Sequence, residues 1–220
     1  MAGEFLADVE AIRKRAREHM SQGAVIQSYQ GDIHKAIEML NIALATEIVC
    51  VLRYRHHYYM ASGLHGESAA KEFLEHANNE QEHADKLAVR IKQLGGAPKL
   101  NPEGLLTRSV SQYVEGESLA DMIQEDLVAE RAVIEVYGEM IRYFGFHDNT
   151  TRELLEELLK DEEGHADDMA DLLYLVNPRT GEAEGVDPST RSTERYSDGS
   201  TLPSPKDIEK GKSQDRKKVA

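Results

Sequence analysis

Apolar residues recur every three or four positions along four long stretches of the chain, whereas no stretch alternates apolar and polar residues as a half-buried strand does. The four stretches cover residues 32–62, 68–94, 118–144 and 149–176. Glycine follows each of the first three, as is common after the C-terminus of a helix. The pattern therefore predicts four α-helices, each about 40–45 Å long at 1.5 Å per residue.

The connections between these helices indicate how the helices pack. Residues 63–67 and 145–148 are short links, so we expect the first and second helices, and the third and fourth, to be antiparallel neighbours. The connection over residues 95–116 is long enough to cross the full length of a bundle. The sequence thus predicts an all-α fold, a four-helix bundle with a long crossover between its second and third helices.

The two ends of the chain differ from this central part. A short amphipathic segment precedes the bundle and predicts an additional helix, docked on the body or on a neighbouring subunit. Its apolar residues are Phe5, Leu6, Val9 and Ile12. The sequence after the bundle contains four of the six prolines and little apolar periodicity, which predicts a disordered tail. The predicted division is an extension (1–31), the bundle (32–176) and a polar tail (177–220).

Acidic residues dominate the composition, with 40 Asp and Glu against 26 Lys and Arg and a net charge of −14. Residues 1–176 carry a net charge of −15 and the tail carries +1. The usual meaning of such a charge is solubility, and an acidic body argues against a nucleic-acid groove. We therefore expect no nucleic-acid partner for the body, although the modestly basic end of the tail, residues 206–218, leaves contact with nucleic acid or a partner open.

A single cysteine, Cys50, cannot form an internal disulfide, which is typical of a protein from a reducing compartment. No stretch approaches the roughly 20 apolar residues of a membrane span. The N-terminal residues also lack the apolar centre of a signal peptide. We therefore expect a cytoplasmic protein with no membrane partner.

Each predicted helix carries one glutamate on its apolar face, and two helices add a histidine three residues later. These residues are Glu47, Glu80, His83, Glu130, Glu162 and His165. A glutamate and a histidine at this spacing share one helix face and can bind the same ion. Four unpaired buried carboxylates would be strongly destabilising, and two divalent cations would neutralise them. Oxygen-rich ligation with one imidazole per ion suits iron or manganese, and zinc can compete.

One glutamate on an apolar stripe is usually a boundary residue, and Glu-x-x-His by itself is a weak signal in charged helices. Here each of the four helices has one glutamate on its apolar face, and two of the helices also have the histidine three residues later. This coincidence predicts a site for two metal ions at the centre of the bundle.

Three segments resemble those of a known family: EIVCVLRY at residues 47–54, LVAERA at 127–132 and KDEEGHADDM at 160–169. With them the chain resembles ferritin-like proteins, most closely the bacterioferritin branch, over about residues 32–176. The resemblance implies a ferritin-like four-helix bundle that contains a di-iron ferroxidase site, with two iron ions per subunit.

The resemblance also implies roles for individual residues. The implied metal ligands are Glu47 and Glu130 as terminal ligands, Glu80 and Glu162 as bridges, and His83 and His165 with one iron each. Tyr54, seven residues after Glu47, matches a tyrosine near the di-iron site, where a redox role and core packing with a hydrogen-bonded hydroxyl explain it equally well. Asp126 and Asp161 match carboxylates that support the metal-bound histidines.

The chain also departs from bacterioferritins. Gln81 stands where the family has the methionine that binds haem, so the resemblance does not carry the haem over. Shells of 24 subunits generally have a short fifth helix, and the sequence after Val176 has no helical period. This favours a 12-subunit shell over a 24-subunit shell. Small ferritins of that size usually build their iron site between subunits, a pattern that the ligands here do not follow.

The resemblance implies an iron-storage or detoxification ferroxidase, which oxidises Fe²⁺ with O₂ or H₂O₂ and mineralises Fe³⁺ inside a homo-oligomeric shell. Two other functions stay open. One is a di-metal oxidase or peroxidase that does not store iron. The other is a shell that binds DNA or a protein partner through the basic end of the tail.

Overall fold

The computed structural model describes residues 8–18, 20, 23, 29 and 31–177, and within those residues every regular element is a helix. The helices are α1 (Val9–Arg15), α2 (Ile33–Met60), α3 (Gly66–Gln93), α4 (Leu105–Arg108), α5 (Leu119–Phe144) and α6 (Asn149–Val176). The four long helices among them correspond to the four segments predicted from the apolar periodicity.

Two of the long helices begin at the predicted capping residues. Asp32 accepts a hydrogen bond from the backbone N–H of Lys35 at 3.0 Å before α2, and Ser118 accepts one from Asp121 at 3.2 Å before α5. Such side chains satisfy backbone donors that the first turn of a helix leaves without a partner. By contrast, α3 begins at Gly66, two residues earlier than predicted. It begins there without a side-chain cap, so the sequence offers no capping signal at that point.

The four long helices form a bundle of two helix pairs. Helix α2 packs along α3, α5 packs along α6, and a short link joins the members of each pair. The two pairs meet through contacts of α2 with α5 and of α3 with α6. A long crossover leads from the end of α3 to the start of α5. The predicted fold class is therefore confirmed.

The crossover lies along α2, and its one-turn helix α4 packs there. The sequence predicted no helix in the crossover, because a single turn is too short to show apolar periodicity. Two buried polar side chains of α2 hold it. Asn41 accepts a hydrogen bond from the backbone N–H of Lys99 at 2.7 Å, and Thr46 accepts one from Val110 at 3.1 Å. These bonds satisfy backbone groups that the crossover brings close to the core.

A buried ionic network holds the second half of the crossover. The Arg53 guanidinium donates to Asp126 at 2.7 Å and to the Ser111 hydroxyl at 2.7 Å. The His57 ring contacts the other Asp126 oxygen at 2.8 Å and the Val114 carbonyl at 3.1 Å. The network thus connects α2 and α5 to the crossover inside the protein.

The apolar core has two parts, and the buried glutamates lie between them. One part includes Leu44, Ala84, Val133 and Leu158, and the other includes Cys50, Ala77, Ile123 and Met169. On every long helix, the central glutamate is flanked in sequence by a residue of each part. The polar layer is therefore enclosed by apolar side chains towards both ends of the bundle.

The N-terminal helix α1 is shorter than the predicted amphipathic segment. None of its residues is buried, and Val9 and Ile12 remain 46% and 44% exposed. Among the described residues, the body therefore leaves Val9 and Ile12 largely exposed, and docking of the segment on the body or on a neighbouring subunit stays a prediction. Residues 1–7, with Phe5 and Leu6, and the tail from residue 178 lie outside the described residues, so the predicted three-part division also stays a prediction.

Across the described ranges, no helix combines the length and the apolar character that crossing a membrane requires.

Candidate metal centre

The bundle brings the six predicted metal ligands together in its interior. Helix α2 supplies Glu47, α3 supplies Glu80 and His83, α5 supplies Glu130, and α6 supplies Glu162 and His165. The four glutamates are at most 1% exposed, and both histidines are buried as well. Charged side chains are almost never buried in this way without a partner, so the arrangement points to a ligand site.

The ligand atoms form two overlapping groups. Glu47, Glu80, His83 and Glu162 have one ligand atom each within 4.8 Å of the others, and so have Glu80, Glu130, Glu162 and His165. Both groups share Glu80 and Glu162. The geometry therefore suits two ions, with the shared carboxylates between them and one further glutamate and one histidine for each. The family resemblance implies the corresponding roles, with Glu80 and Glu162 as bridging ligands and Glu47 and Glu130 as terminal ligands, and those roles stay a prediction.

Both histidines direct Nδ1 at the shared carboxylates. His83 Nδ1 lies 3.0 Å from Glu162 and 3.2 Å from Glu80, and His165 Nδ1 lies 3.4 Å from Glu80 and 3.6 Å from Glu162. Each histidine would thus use the same ring nitrogen to bind a metal ion. The two helix pairs contribute equivalent ligands to the centre.

The second nitrogen of each ring has a polar neighbour outside the centre. His83 Nε2 lies 3.4 Å from an Asp161 oxygen, and His165 Nε2 lies 3.4 Å from the Asn79 amide nitrogen. A metal-bound histidine donates its second N–H to an acceptor that fixes its tautomer and its orientation, and Asp161 is such an acceptor for His83. Asp161 lies where we expected this support. Asp126 does not, because its oxygens contact Arg53 and His57, and that expectation was wrong.

Two buried tyrosines support the terminal glutamates, each from the opposite helix. The Tyr54 hydroxyl of α2 donates to Glu130 of α5 at 2.5 Å, and the Tyr137 hydroxyl of α5 donates to Glu47 of α2. Tyr54 was predicted near the centre, but sequence reasoning missed Tyr137. The available signal was the spacing, since Tyr137 follows Glu130 by seven residues as Tyr54 follows Glu47.

Several polar atoms of the centre have no hydrogen-bond partner among the described residues. They are both oxygens of Glu80, one oxygen each of Glu130 and Glu162, and His165 Nδ1. The histidine contacts to Glu80 are short but do not have hydrogen-bond geometry. A buried polar atom without a partner costs about 1–3 kcal/mol, and more if it is charged. Metal ions at these positions would provide the missing partners.

Burial and charge shift the protonation of the centre. Burial, together with the charge of Glu162, raises the pKa of Glu47, and burial with the charge of Glu80 raises the pKa of Glu130. Burial acts in the same direction on Glu80, but its contacts with His165 outweigh this and lower its pKa. Burial disfavours the cation of His165, yet contacts with Glu162 and Glu80 raise the pKa of that ring to about 10. Without metal the centre therefore retains protons, which divalent cations would displace.

The chemistry of the donor set fits iron or manganese. Four carboxylates and two imidazoles form a hard, oxygen-rich set, and each shared carboxylate has two oxygens available for two ions. Two metal ions held close together in a site that excludes bulk water can hold and activate a small oxidant.

The position predicted for a family haem ligand lies apart from this centre. Gln81 is exposed on α3, and its amide donates to Asp85 at 3.1 Å. A glutamine has no thioether sulfur with which to bind haem iron. The haem expectation stays a prediction.

Comparisons with known proteins agree with this architecture. A family model described as the ferritin-like domain matches residues 37–177. The chain is 34% identical over 145 residues to the bacterioferritin of Brucella melitensis. The match covers 64% of this chain and 84% of that protein. A similar solved structure is the bacterioferritin-related protein of Bacteroides fragilis, described as a dodecameric thioferritin. It has a TM-score of 0.64 and 26% identity, and the match covers 71% of this chain and 93% of that one.

A second similar structure is the bacterioferritin of Desulfovibrio desulfuricans, described with its diiron site in different catalytic states. It has a TM-score of 0.59 and 26% identity, and the match covers 69% of this chain and 85% of that one. The match to the family model spans most of the bundle and includes all six residues of the candidate metal centre, and the chain therefore belongs to the ferritin-like family.

Proposed function

We propose that this protein is an iron-storing ferroxidase, which oxidises Fe²⁺ at the candidate metal centre and retains Fe³⁺ inside a homo-oligomeric shell. The observation that carries the proposal is the pair of overlapping ligand groups that share Glu80 and Glu162. The diiron site ascribed to the similar Desulfovibrio desulfuricans bacterioferritin supports it. The proposal assigns the six converging residues as ligands and the two tyrosines as positioning residues.

The reaction is balanced without any other cofactor. Fe²⁺ is the substrate, and each ion loses one electron. Two such electrons and two protons reduce O₂ to H₂O₂, or reduce H₂O₂ to two molecules of water. When bound, the pair of iron ions supplies both electrons at one place, which suits a two-electron acceptor.

The residues of the chain provide charge, orientation and exclusion of water. The carboxylates neutralise the two incoming cations, and Tyr54 and Tyr137 hold the terminal carboxylates in place. Protons retained on Glu47 and Glu130 leave as the cations bind, because their raised pKa values favour the acid forms only while the site lacks metal. Apolar residues on both sides of the layer keep bulk water out.

The shell is proposed as a 12-subunit assembly, with 24 subunits as the alternative. The similar protein of Bacteroides fragilis is described as dodecameric, which supports the smaller number. The net charge of −14 would concentrate Fe²⁺ near such a shell by electrostatic attraction. A cytoplasmic location is part of the proposal.

Anaerobic loading of the metal-free protein with Fe²⁺, followed by O₂, tests the proposed function. We expect a fast oxidation phase that saturates at about two iron ions per subunit, because each ligand group holds one ion, and then slower uptake of many more. The iron should elute with protein of shell size in size-exclusion chromatography. If uptake stops after the fast phase, the protein does not store iron, and a non-storing oxidase or peroxidase becomes the better assignment.

A matched pair of variants tests the assigned ligands. Glu130→Gln keeps the shape of a buried ligand and removes its charge, so we expect the fast phase to slow by at least about tenfold. Glu163→Gln makes the same change at an exposed position of α6 and should oxidise iron at the wild-type rate. Equal rates in the two variants, with helical content unchanged by circular dichroism, would show that the assigned centre is wrong.

A further inference from the structure

A third group of possible ligands lies outside the candidate metal centre. It consists of Glu72 and His76 on α3 and Asp168 on α6, with one ligand atom from each within 4.8 Å of the others. His76 is 2% exposed, whereas the Asp168 side chain is 57% exposed. The group is therefore closed on one side by a buried imidazole and open to solvent on the other.

A hydrogen-bond chain determines which nitrogen of His76 faces this group. The Tyr54 hydroxyl donates its proton to Glu130 at 2.5 Å, so its oxygen is left to accept from His76 Nδ1 at 3.2 Å. In the neutral ring, Nε2 then carries the lone pair, and it lies 3.4 Å from an Asp168 oxygen. Two acceptors therefore face each other across the group, and a cation between them would satisfy both.

The separation of 3.4 Å between His76 Nε2 and the Asp168 oxygen also matches that of two ligands of one metal ion. A charge-assisted N–H···O⁻ hydrogen bond is about 2.7–2.9 Å long. Ligand atoms on neighbouring corners around an ion with bonds of about 2.1 Å are roughly 3.0–3.4 Å apart. Glu72 brings a second carboxylate to the same place.

Stacked imidazoles connect the group to the candidate metal centre. The His76 ring stacks on the His165 ring with centroids 4.1 Å apart, and His165 stacks on His83 at 5.9 Å. Asp168 follows His165 by three residues on α6, which is about one helical turn. The third group thus lies immediately beside the candidate metal centre, and Asp168 opens the group to solvent.

We propose that Glu72, His76 and Asp168 bind a third divalent cation. One imidazole and two carboxylates suit Fe²⁺, Mn²⁺, Co²⁺ or Zn²⁺, with water completing the coordination at the exposed side. The site is distinct from the centre because it shares no ligand with it. Its binding of metal does not depend on whether the protein oxidises iron.

Titration of the metal-free, assembled protein with Co²⁺ tests this site, by calorimetry and by the visible absorption of the ion. We expect the wild type to bind one more Co²⁺ per subunit than the Asp168→Asn variant. Asp167→Asn, which removes the same charge from the next exposed position of α6, should bind as many as the wild type. The same stoichiometry in the two variants would overturn the proposal.

Two further measurements separate this proposal from the proposed function. Glu130→Gln weakens the candidate metal centre but not the third site. The double variant Glu130→Gln/Asp168→Asn should therefore still bind one Co²⁺ per subunit fewer than Glu130→Gln alone. A crystal soaked in Co²⁺ should show an anomalous-scattering peak between Glu72, His76 and Asp168. A direct hydrogen bond from His76 to Asp168 with no such peak would identify a plain ion pair and overturn the proposal, whatever the protein does with iron.

Discussion

Glu47 and Glu130 each depend on a tyrosine from the other helix pair. Tyr54 and Tyr137 lie two helical turns after a glutamate on their own helix, but each hydroxyl reaches the glutamate of the opposite helix. Both rings pack in the apolar core, one in each of its two parts. The tyrosines therefore combine core packing with a hydrogen bond that orients a buried carboxylate, and a redox role for Tyr54 stays a prediction.

Removing these hydroxyls should weaken metal binding without disturbing the core. Tyr137→Phe and Tyr54→Phe each leave a carboxylate free to turn, and we expect about 10–100-fold weaker Co²⁺ binding at the candidate metal centre. Calorimetric titration measures the loss. Tyr58→Phe, one turn beyond Tyr54 on α2, should stay within about twofold of wild type as a control. Wild-type affinity in both Tyr54→Phe and Tyr137→Phe would mean that these tyrosines serve the core alone.

At the scale of the elements, α2 and α6 are held by polar contacts that lie away from the centre. Helix α2 faces the bundle on one side and the crossover on the other, where Asn41 and Thr46 hold backbone groups. Asp148 caps α6 by accepting from the Thr151 backbone at 2.9 Å, and it pairs with Arg90 of α3 at 2.8 Å. These contacts fix how the connecting segments leave the helices.

Asp148→Asn should destabilise the fold in a pH-dependent way. Burial raises the pKa of Asp148, but hydrogen bonds from Thr151 and Tyr29 and the charge of Arg90 outweigh it, so the folded pKa lies below the ordinary value of 3.8. The Asp148 carboxylate thus stabilises the fold. This contribution is fully present above the pKa that Asp148 has in the unfolded chain, and it is lost as the pH falls through the pKa that Asp148 has in the folded protein. We expect the variant to lose about 1.5–3 kcal/mol at neutral pH, and the difference to shrink below about pH 4.

Asp32→Asn provides the matched control for this prediction. Asp32 caps α2 from an exposed position, and asparagine is an equally good cap, so only a few tenths of a kcal/mol should be lost. Denaturant unfolding at several pH values measures both variants. The same loss in both, or a loss at Asp148 that does not change with pH, would contradict the prediction.

At the scale of the whole molecule, a layer of buried charge crosses an otherwise apolar bundle. The two parts of the core lie on either side of four glutamates and two histidines. Without metal, these groups are buried with incomplete partners, which costs free energy of folding. Cations bound at the candidate metal centre would remove that cost in the folded state alone, which would couple metal binding to folding.

Divalent metal should therefore raise the thermal stability of the assembled protein. Co²⁺ at 100 times its dissociation constant stabilises a folded protein by about 2.7 kcal/mol per site. The two sites of the candidate metal centre should by themselves raise the Tm of a chain of this size by about 10–20 °C. Glu130→Gln should lose at least half of this rise, whereas Glu163→Gln should keep it. Scanning calorimetry with and without Co²⁺ measures the effect, and an equal rise in the two variants would contradict a role for the candidate metal centre.

Much of this architecture is determined by the sequence alone. Local periodicity specifies the four long helices, and side-chain caps such as Asp32 and Ser118 specify where two of them begin. The lengths of the links determine which helices are neighbours. The central glutamates were found because a charged residue on an apolar face conflicts with its surroundings, and that conflict is visible in one helix at a time.

Only the tertiary structure decided the contacts between residues far apart in the chain. It paired Tyr54 with Glu130 and Tyr137 with Glu47, and it assigned Asp126 to the network of Arg53 and His57, not to a metal-bound histidine. It also showed that His76 meets Asp168 beside the centre. The physical reason is that helical periodicity states which face a side chain occupies but not which residue it meets there, because that partner depends on how the helices and the crossover pack.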